Sequence, residues 1–269
     1  MSERKTKKKF TLMMVRHGEG IHNLGIHARN DLEFTDDLNL RAINCALTEK
    51  GLMQANLVAD RLKSTNFDLA ISSDLKRAMQ TAEAIMNKND SINELISWRI
   101  VRERCLGEFE GITELYRALR VVENAVSDRE YLTWSPPNGE SVIDLRNRIM
   151  EFLQELQKAA MKVPSDFPII LVSSHGLFME ELYYVLSTSE YGKTIPKKMP
   201  GYQNTGISQY NFTTSLSNNN ECILEDVECT IFSCANHLEN HDQNYMLCRG
   251  GCHGVKDDVK IREIDEQPR

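Results

Sequence analysis

The sequence predicts an α/β fold, with a mostly parallel central sheet and helices on both faces. Three observations predict it. Strand-like and helix-like segments alternate along the chain. The strand-like runs at 10–15 and 168–174 are nearly continuous in apolar residues, as strands covered on both faces are. Both runs also stop in the same way, one at Arg16-His17-Gly18 and the other at Ser174-His175-Gly176.

Taken in order, FTLMMV (10–15) is the first strand. A long polar stretch, 24–44, follows as a loop with weak helical pattern, and loops of that length inside a compact domain are often functional. A helix spans roughly 48–65, with Thr48 as N-cap and Leu52, Ala55, Ala59 and Leu62 at helical spacing. FDLAISS (67–73) is a short strand, and DLKRAMQTAEAIM (74–86) a helix with Leu75, Ala78, Met79, Ala82, Ile85 and Met86 on one face. SWRIV (97–101) is another short strand. Residues 113–126 and 140–160 have helical periodicity, and the SPPNGE segment between them breaks it. PIILVSS (168–174) is a buried strand, 177–187 a helix, and TGISQYNFT and ECTIFSC are late strands. The expected organisation is a basic N-terminal tail (1–9), one domain (10–240) and a polar C-terminal tail (241–269).

Composition narrows the functions. The 269 residues are 41% hydrophobic, ample for one sizeable core. A net charge of −7 gives no general attraction for nucleic acid, so an anionic ligand needs positive charge gathered locally. No apolar run approaches the roughly 18 residues that span a bilayer. The N-terminus MSERKTKKKF is basic but lacks the apolar segment of a secretory signal. Seven cysteines, an odd number at irregular spacing, fit reduced thiols in a cytoplasmic protein. Cys229, Cys234, His237, His241, Cys248, Cys252 and His253 crowd the end of the chain, but without a C-x-x-C pair they read as unrelated side chains, and no metal is expected there.

In open α/β sheets, ligands sit beyond the carboxyl ends of the strands. If the two histidine-bearing strands are neighbours, His17 and His175 face each other in that crevice. Either histidine alone would read as structural; the repeated pattern points to a site. The strand at 67–73 leads into SSDLKRAMQT, whose helix start would aim N–H groups and Arg77 at the same place, suited to phosphate; taken alone it reads equally as a capped helix with an exposed arginine. Glu103, between Arg102 and Arg104 in RERCLGEFEG, reads equally as part of a solvated charge cluster or as a carboxyl placed to donate a proton.

These residues resemble the histidine phosphatase superfamily, also called phosphoglycerate mutase-like. The match consists of Arg16-His17-Gly18 with Asn23 six residues beyond the histidine, Arg77 in the helix start, Glu103 with Gly107, Glu110 and Gly111, then His175-Gly176, and Asn204-Thr205-Gly206. The motifs come in the family's order between residues 10 and about 235. Within the family the chain is most similar to TIGAR-type fructose-2,6-bisphosphatases, through RERCLGEFEG, the PPNGES loop, NTGIS and CTIFSCANHLEN. The GEGIHN segment and the polar loop after it depart from most members. The resemblance implies a phosphoglycerate mutase-like fold and a phosphatase that acts on a small phosphorylated substrate. It implies His17 as nucleophile, Glu103 as acid and then base, and His175 beside the transferring group. Arg16, Asn23, Arg77, Gly176 and Asn204 would bind the phosphoryl group. No cofactor, nucleic acid or membrane is implied. A mutase is the first alternative, disfavoured by Leu106 where mutases carry a tyrosine and by the lack of an Arg-Arg pair, Arg117 and Arg120 being a helical turn apart. An inactive binding protein is the second, disfavoured because the nucleophile, arginines and acid are all present.

Overall fold

The structure, a computed structural model, describes residues 7–23, 44–110, 128–192, 195, 201–219 and 221–241. Most of the long loop, the helix expected at 113–126 and nearly all of the C-terminal tail lie outside these residues.

Six strands form one sheet: β1 (Lys7–Arg16), β2 (Leu69–Ser72), β3 (Ile96–Ser97), β4 (Ile169–Ser174), β5 (Ile207–Leu216) and β6 (Cys222–Cys234), in the spatial order β3-β2-β4-β1-β5-β6. The first four in that order are parallel, whereas β5 runs antiparallel to both its neighbours, β1 and β6. The helices are α1 (Glu49–Leu62), α2 (Lys76–Met86), the short α3 (Asp128–Thr133), α4 (Val142–Lys162) and α5 (Gly176–Thr188).

The continuous apolar run of β1 has a simple cause. Leu12 and Met14 point to one face of the sheet, where they join Phe152 and Leu156 of α4 and Phe178 and Leu182 of α5. Met13 and Val15 point to the other, against Val58 and Ala59 of α1 and Ile85 of α2. Helices cover both faces, and Leu12, Met13, Met14 and Val15 of β1 are buried between them. Each fully buried side chain of this kind contributes about 1.5–3 kcal/mol by removal from water, so both layers hold the central strands firmly.

Several boundaries differ from the sequence reading. β1 begins at Lys7, inside the basic segment, because Lys7, Lys8 and Lys9 pair with Ser215, Thr214 and Thr213 of β5. Backbone pairing does not require apolar side chains there. SWRIV is only partly strand: β3 stops at Ser97, and Arg99–Val101 forms a 3₁₀ turn that buries Val101. In α1, Thr48 caps as expected, accepting from Gly51 N–H at 2.9 Å. Leu52, however, is exposed, while Gln54 is buried and accepts from Glu19 N–H at 2.8 Å. α4 opens on a reciprocal cap between Ser141 and Asp144. No helix among the described residues is long and apolar enough to cross a membrane.

Candidate active site

β1 and β4 are adjacent and parallel, with Arg16 opposite Ser174. The next residues, His17 and His175, therefore leave the sheet side by side. His17 N–H bonds Ser174 O at 3.0 Å, and the two ring centroids lie 5.1 Å apart. β2 ends against β4 in the same way, with Ser73 N–H bonded to Ser173 O at 3.0 Å. Three strand ends thus meet at one crevice.

The chain leaves His17 through Gly18, where a Cβ would lie 2.5 Å from Gly51 O at the start of α1; only glycine permits that approach. Gly18 N–H bonds Thr81 Oγ1 at 3.1 Å, and Thr81 donates to Arg77 O at 2.8 Å, which ties the turn after His17 to α2.

His17 is buried, and its Nδ1 lies 2.6 Å from Gly18 O. A carbonyl only accepts, so Nδ1 carries the proton and Nε2 the lone pair. Arg77 Nε donates to Nε2 at 3.3 Å. Burial pushes the His17 pKa well below the ordinary imidazole value; Arg77, His175, Arg16 and His22 push it in the same direction. His17 is therefore neutral at pH 7. His175 is also buried and depressed, by burial first and then by Arg77, His22 and Arg16. Its Nε2 is 2.8 Å from Ser73 Oγ, while its buried Nδ1 has no hydrogen-bond partner among the described residues.

Glu103 faces the first turn of α5, just past His175. It accepts from Phe178 N–H at 3.0 Å, Leu177 N–H at 3.2 Å and Arg104 N–H at 3.0 Å. Arg148 braces this segment, donating to the carbonyls of Ile100, Arg102 and Glu103 and pairing with Glu140 at 2.7 Å. Arg102 is turned away, in a two-pronged pair with Asp74. Glu110 is a second carboxyl nearby: burial raises its pKa, Arg77 opposes that rise and Glu103 adds to it. Gly111 lies outside the described residues.

The other predicted residues divide into two groups. Arg77 and Arg16 are gathered at the histidines. Arg16 donates to Tyr202 O at 2.6 Å, and its guanidinium passes Gly176, where a Cβ would stand 3.4 Å from Arg16 Nε. Asn204 donates to His17 O at 3.0 Å, so it holds the backbone at His17. Its neighbour Thr205 has φ of 55°, rare for a β-branched residue, and bonds both Arg16 O and His237 Nε2. Asn23 is exposed and closes the 3₁₀ turn Ile21–Asn23 by accepting from Gly20 N–H at 2.9 Å.

The sequence reading missed Ser73, Thr81 and His22 as individual residues. Ser73 could have been singled out as the polar residue just past β2. His22 sits within the quoted GEGIHN segment, but nothing in the spacing said that its ring turns back to 5.3 Å from that of His17. Cys45, Cys105, Cys222, Cys229 and Cys234 are free thiols. Among the described residues, no three metal-ligating side chains cluster.

The chain matches the model of the histidine phosphatase superfamily (branch 1) over residues 12–218, and it belongs to that superfamily. Among curated relatives, fructose-2,6-bisphosphatase TIGAR B of Danio rerio is 31% identical over 241 residues, covering 76% of this chain and 87% of that protein. A glucosyl-3-phosphoglycerate phosphatase of Mycolicibacterium vanbaalenii is 31% identical over 169 residues, covering 62% and 69%. Among solved structures, a phosphoglycerate mutase from Bacillus anthracis superposes with a TM-score of 0.60 at 21% identity, over 87% of this chain and 96% of that one, a likeness of fold.

Proposed function

We propose that this chain is a phosphatase that hydrolyses a small phosphomonoester through a phosphohistidine on His17, with fructose 2,6-bisphosphate as its substrate. The observation that carries the reading is the buried pair His17–His175 at 5.1 Å with Arg77 at the His17 lone pair. Gly18 O fixes the His17 tautomer so that Nε2 faces the crevice as a neutral nucleophile. On substrate binding, Arg77 would move its hydrogen bond from Nε2 to a phosphoryl oxygen, which frees the lone pair for in-line attack. The partnerless Nδ1 of His175 would meet a second oxygen, and Arg16 would add a further cation.

Attack forms the Nε2–P bond as the P–O bond to the sugar breaks. Glu103, reached from the α5 side, would protonate the leaving oxygen. It would then take a proton from the water that attacks phosphorus, releasing inorganic phosphate and restoring His17. The substrate choice rests on the fructose-2,6-bisphosphatase relative, which aligns with more of this chain at equal identity than the glucosyl-3-phosphoglycerate phosphatase does. A role in regulating glycolysis in the cytoplasm follows from that choice.

The test is phosphate release from fructose 2,6-bisphosphate, 2,3-bisphosphoglycerate, glucosyl-3-phosphoglycerate and other sugar phosphates. The proposal requires the highest kcat/KM with fructose 2,6-bisphosphate; a higher value for another member of the panel replaces that substrate. Interconversion of 3- and 2-phosphoglycerate faster than the best hydrolysis would favour a mutase instead. Buried Leu106, at the position where mutases carry a tyrosine, argues for hydrolysis.

A further inference from the structure

Ser73 is the polar neighbour of His175 to which the mechanism above gives no task. It directly follows β2, and its N–H bond to Ser173 O at 3.0 Å fixes its backbone to β4 two residues before His175. Its side chain is fully buried.

The Ser73 hydroxyl oxygen makes two contacts. It accepts from Leu75 N–H at 3.3 Å, at the entry to α2, and it lies 2.8 Å from His175 Nε2. The hydroxyl hydrogen needs an acceptor, and among the described residues His175 Nε2 is the one within reach. Two assignments compete. If Nε2 carries the proton and donates to Ser73, the hydroxyl hydrogen is buried with no acceptor, and the buried Nδ1 holds a lone pair with no donor. If Ser73 donates to Nε2, only the Nδ1 proton is left over. A buried polar group without a partner is costly, so the second assignment prevails. Burial, and after it Arg77, keeps the ring neutral, so one nitrogen alone carries a proton.

His17 is set the other way. Gly18 O holds the proton on its Nδ1 and leaves Nε2 bare. Two rings 5.1 Å apart therefore carry opposite chemistry, a lone pair on His17 and an N–H on His175. A neutral imidazole of that kind donates to a phosphoryl oxygen without first taking up a proton.

We propose that Ser73 is a positioning residue that holds His175 as the Nδ1–H tautomer, and thereby makes a neutral histidine the hydrogen-bond donor to the transferring phosphoryl group. This rests on the phosphatase reading above.

The test is long-range ¹H–¹⁵N correlation spectroscopy of the full chain with ¹⁵N-labelled histidine at neutral pH, the His175 signals being assigned by their loss in His175→Gln. The wild type should show a protonated Nδ1 and a bare Nε2 at His175. Ser73→Ala should lose that preference and move toward the Nε2–H form. Its kcat with p-nitrophenyl phosphate should fall roughly 10-fold, as expected for one hydrogen bond to a group that stays buried. Ser73→Thr keeps the hydroxyl and should restore both the spectrum and most of the rate, which a merely space-filling role would not require. If the variants do not fold, the wild-type spectrum decides alone. A proton on Nε2 in the wild type would overturn the proposal while leaving the phosphatase reading intact, and so would a folded Ser73→Ala with wild-type spectrum and kcat. An Nδ1–H His175 in a protein that neither forms a phosphoenzyme nor releases phosphate would overturn the phosphatase reading, and with it the use of this donor.

Discussion

Arg77→Met removes the guanidinium from α2 while keeping a side chain of similar length in the buried slot. Arg77 Nε lies 3.3 Å from His17 Nε2, and Arg77 is the largest cationic contributor to the lowered pKa values of both His17 and His175. Two effects follow. Loss of a charge-assisted hydrogen bond to the phosphoryl group costs about 1.5–3 kcal/mol, or roughly 10- to 150-fold in kcat/KM. The second effect concerns pH. A cation lowers the pKa of an imidazole, so its removal raises the pKa of His17 toward the ordinary value. His17 then protonates, and loses its nucleophilic lone pair, at higher pH than before. The acid limb of the kcat/KM profile should move up in pH, but only partway, because burial is the larger cause and persists. The assay is kcat/KM against pH with p-nitrophenyl phosphate, run beside the wild type so that ionisation of the substrate cancels. A loss below threefold with an unmoved acid limb would refute the placement of Arg77 at the phosphoryl group.

Glu103→Gln should slow rapid-quench phosphoenzyme formation by roughly 10²–10⁴-fold with a sugar phosphate and far less with p-nitrophenyl phosphate, whose leaving group needs little help from an acid; equal slowing for both would make Glu103 a positioning group. Buried His17, His175 and His237, the last with a pKa depressed to about 3 chiefly by burial, bind protons more readily unfolded than folded, so stability should be full above the unfolded imidazole pKa and fall as pH drops below it. Urea midpoints at descending pH check this, and His237→Gln should flatten part of the slope. A stability independent of pH in that range would contradict it.

The sequence held much of this site because its chemistry lies at strand ends. Apolar runs that stop at Arg16-His17 and Ser174-His175 are visible without coordinates, and parallel pairing of those strands accounts for their juxtaposition. What could not be read was pairing and direction. The antiparallel β5–β6 edge carries mixed, half-exposed residues with register shifts, which give no clean alternation. The stripe of α1 was placed by apolar spacing, yet buried Gln54 belongs to it because its amide serves the Glu19 backbone. The roles of the polar residues were hidden for the same reason. Ser73 matters through one bond to His175, Asn204 through the His17 carbonyl, and His22 through a ring turned inward beside a glycine; each depends on a contact between segments distant in sequence or on a local fold-back.

The most direct test of the account is the site of phosphorylation. Enzyme quenched during turnover of fructose 2,6-bisphosphate labelled in both phosphates should carry label that is acid-labile and alkali-stable. Peptide mapping should place that label on His17, and His17→Ala should abolish it. Label on His175, or full turnover by His17→Ala, would contradict the account.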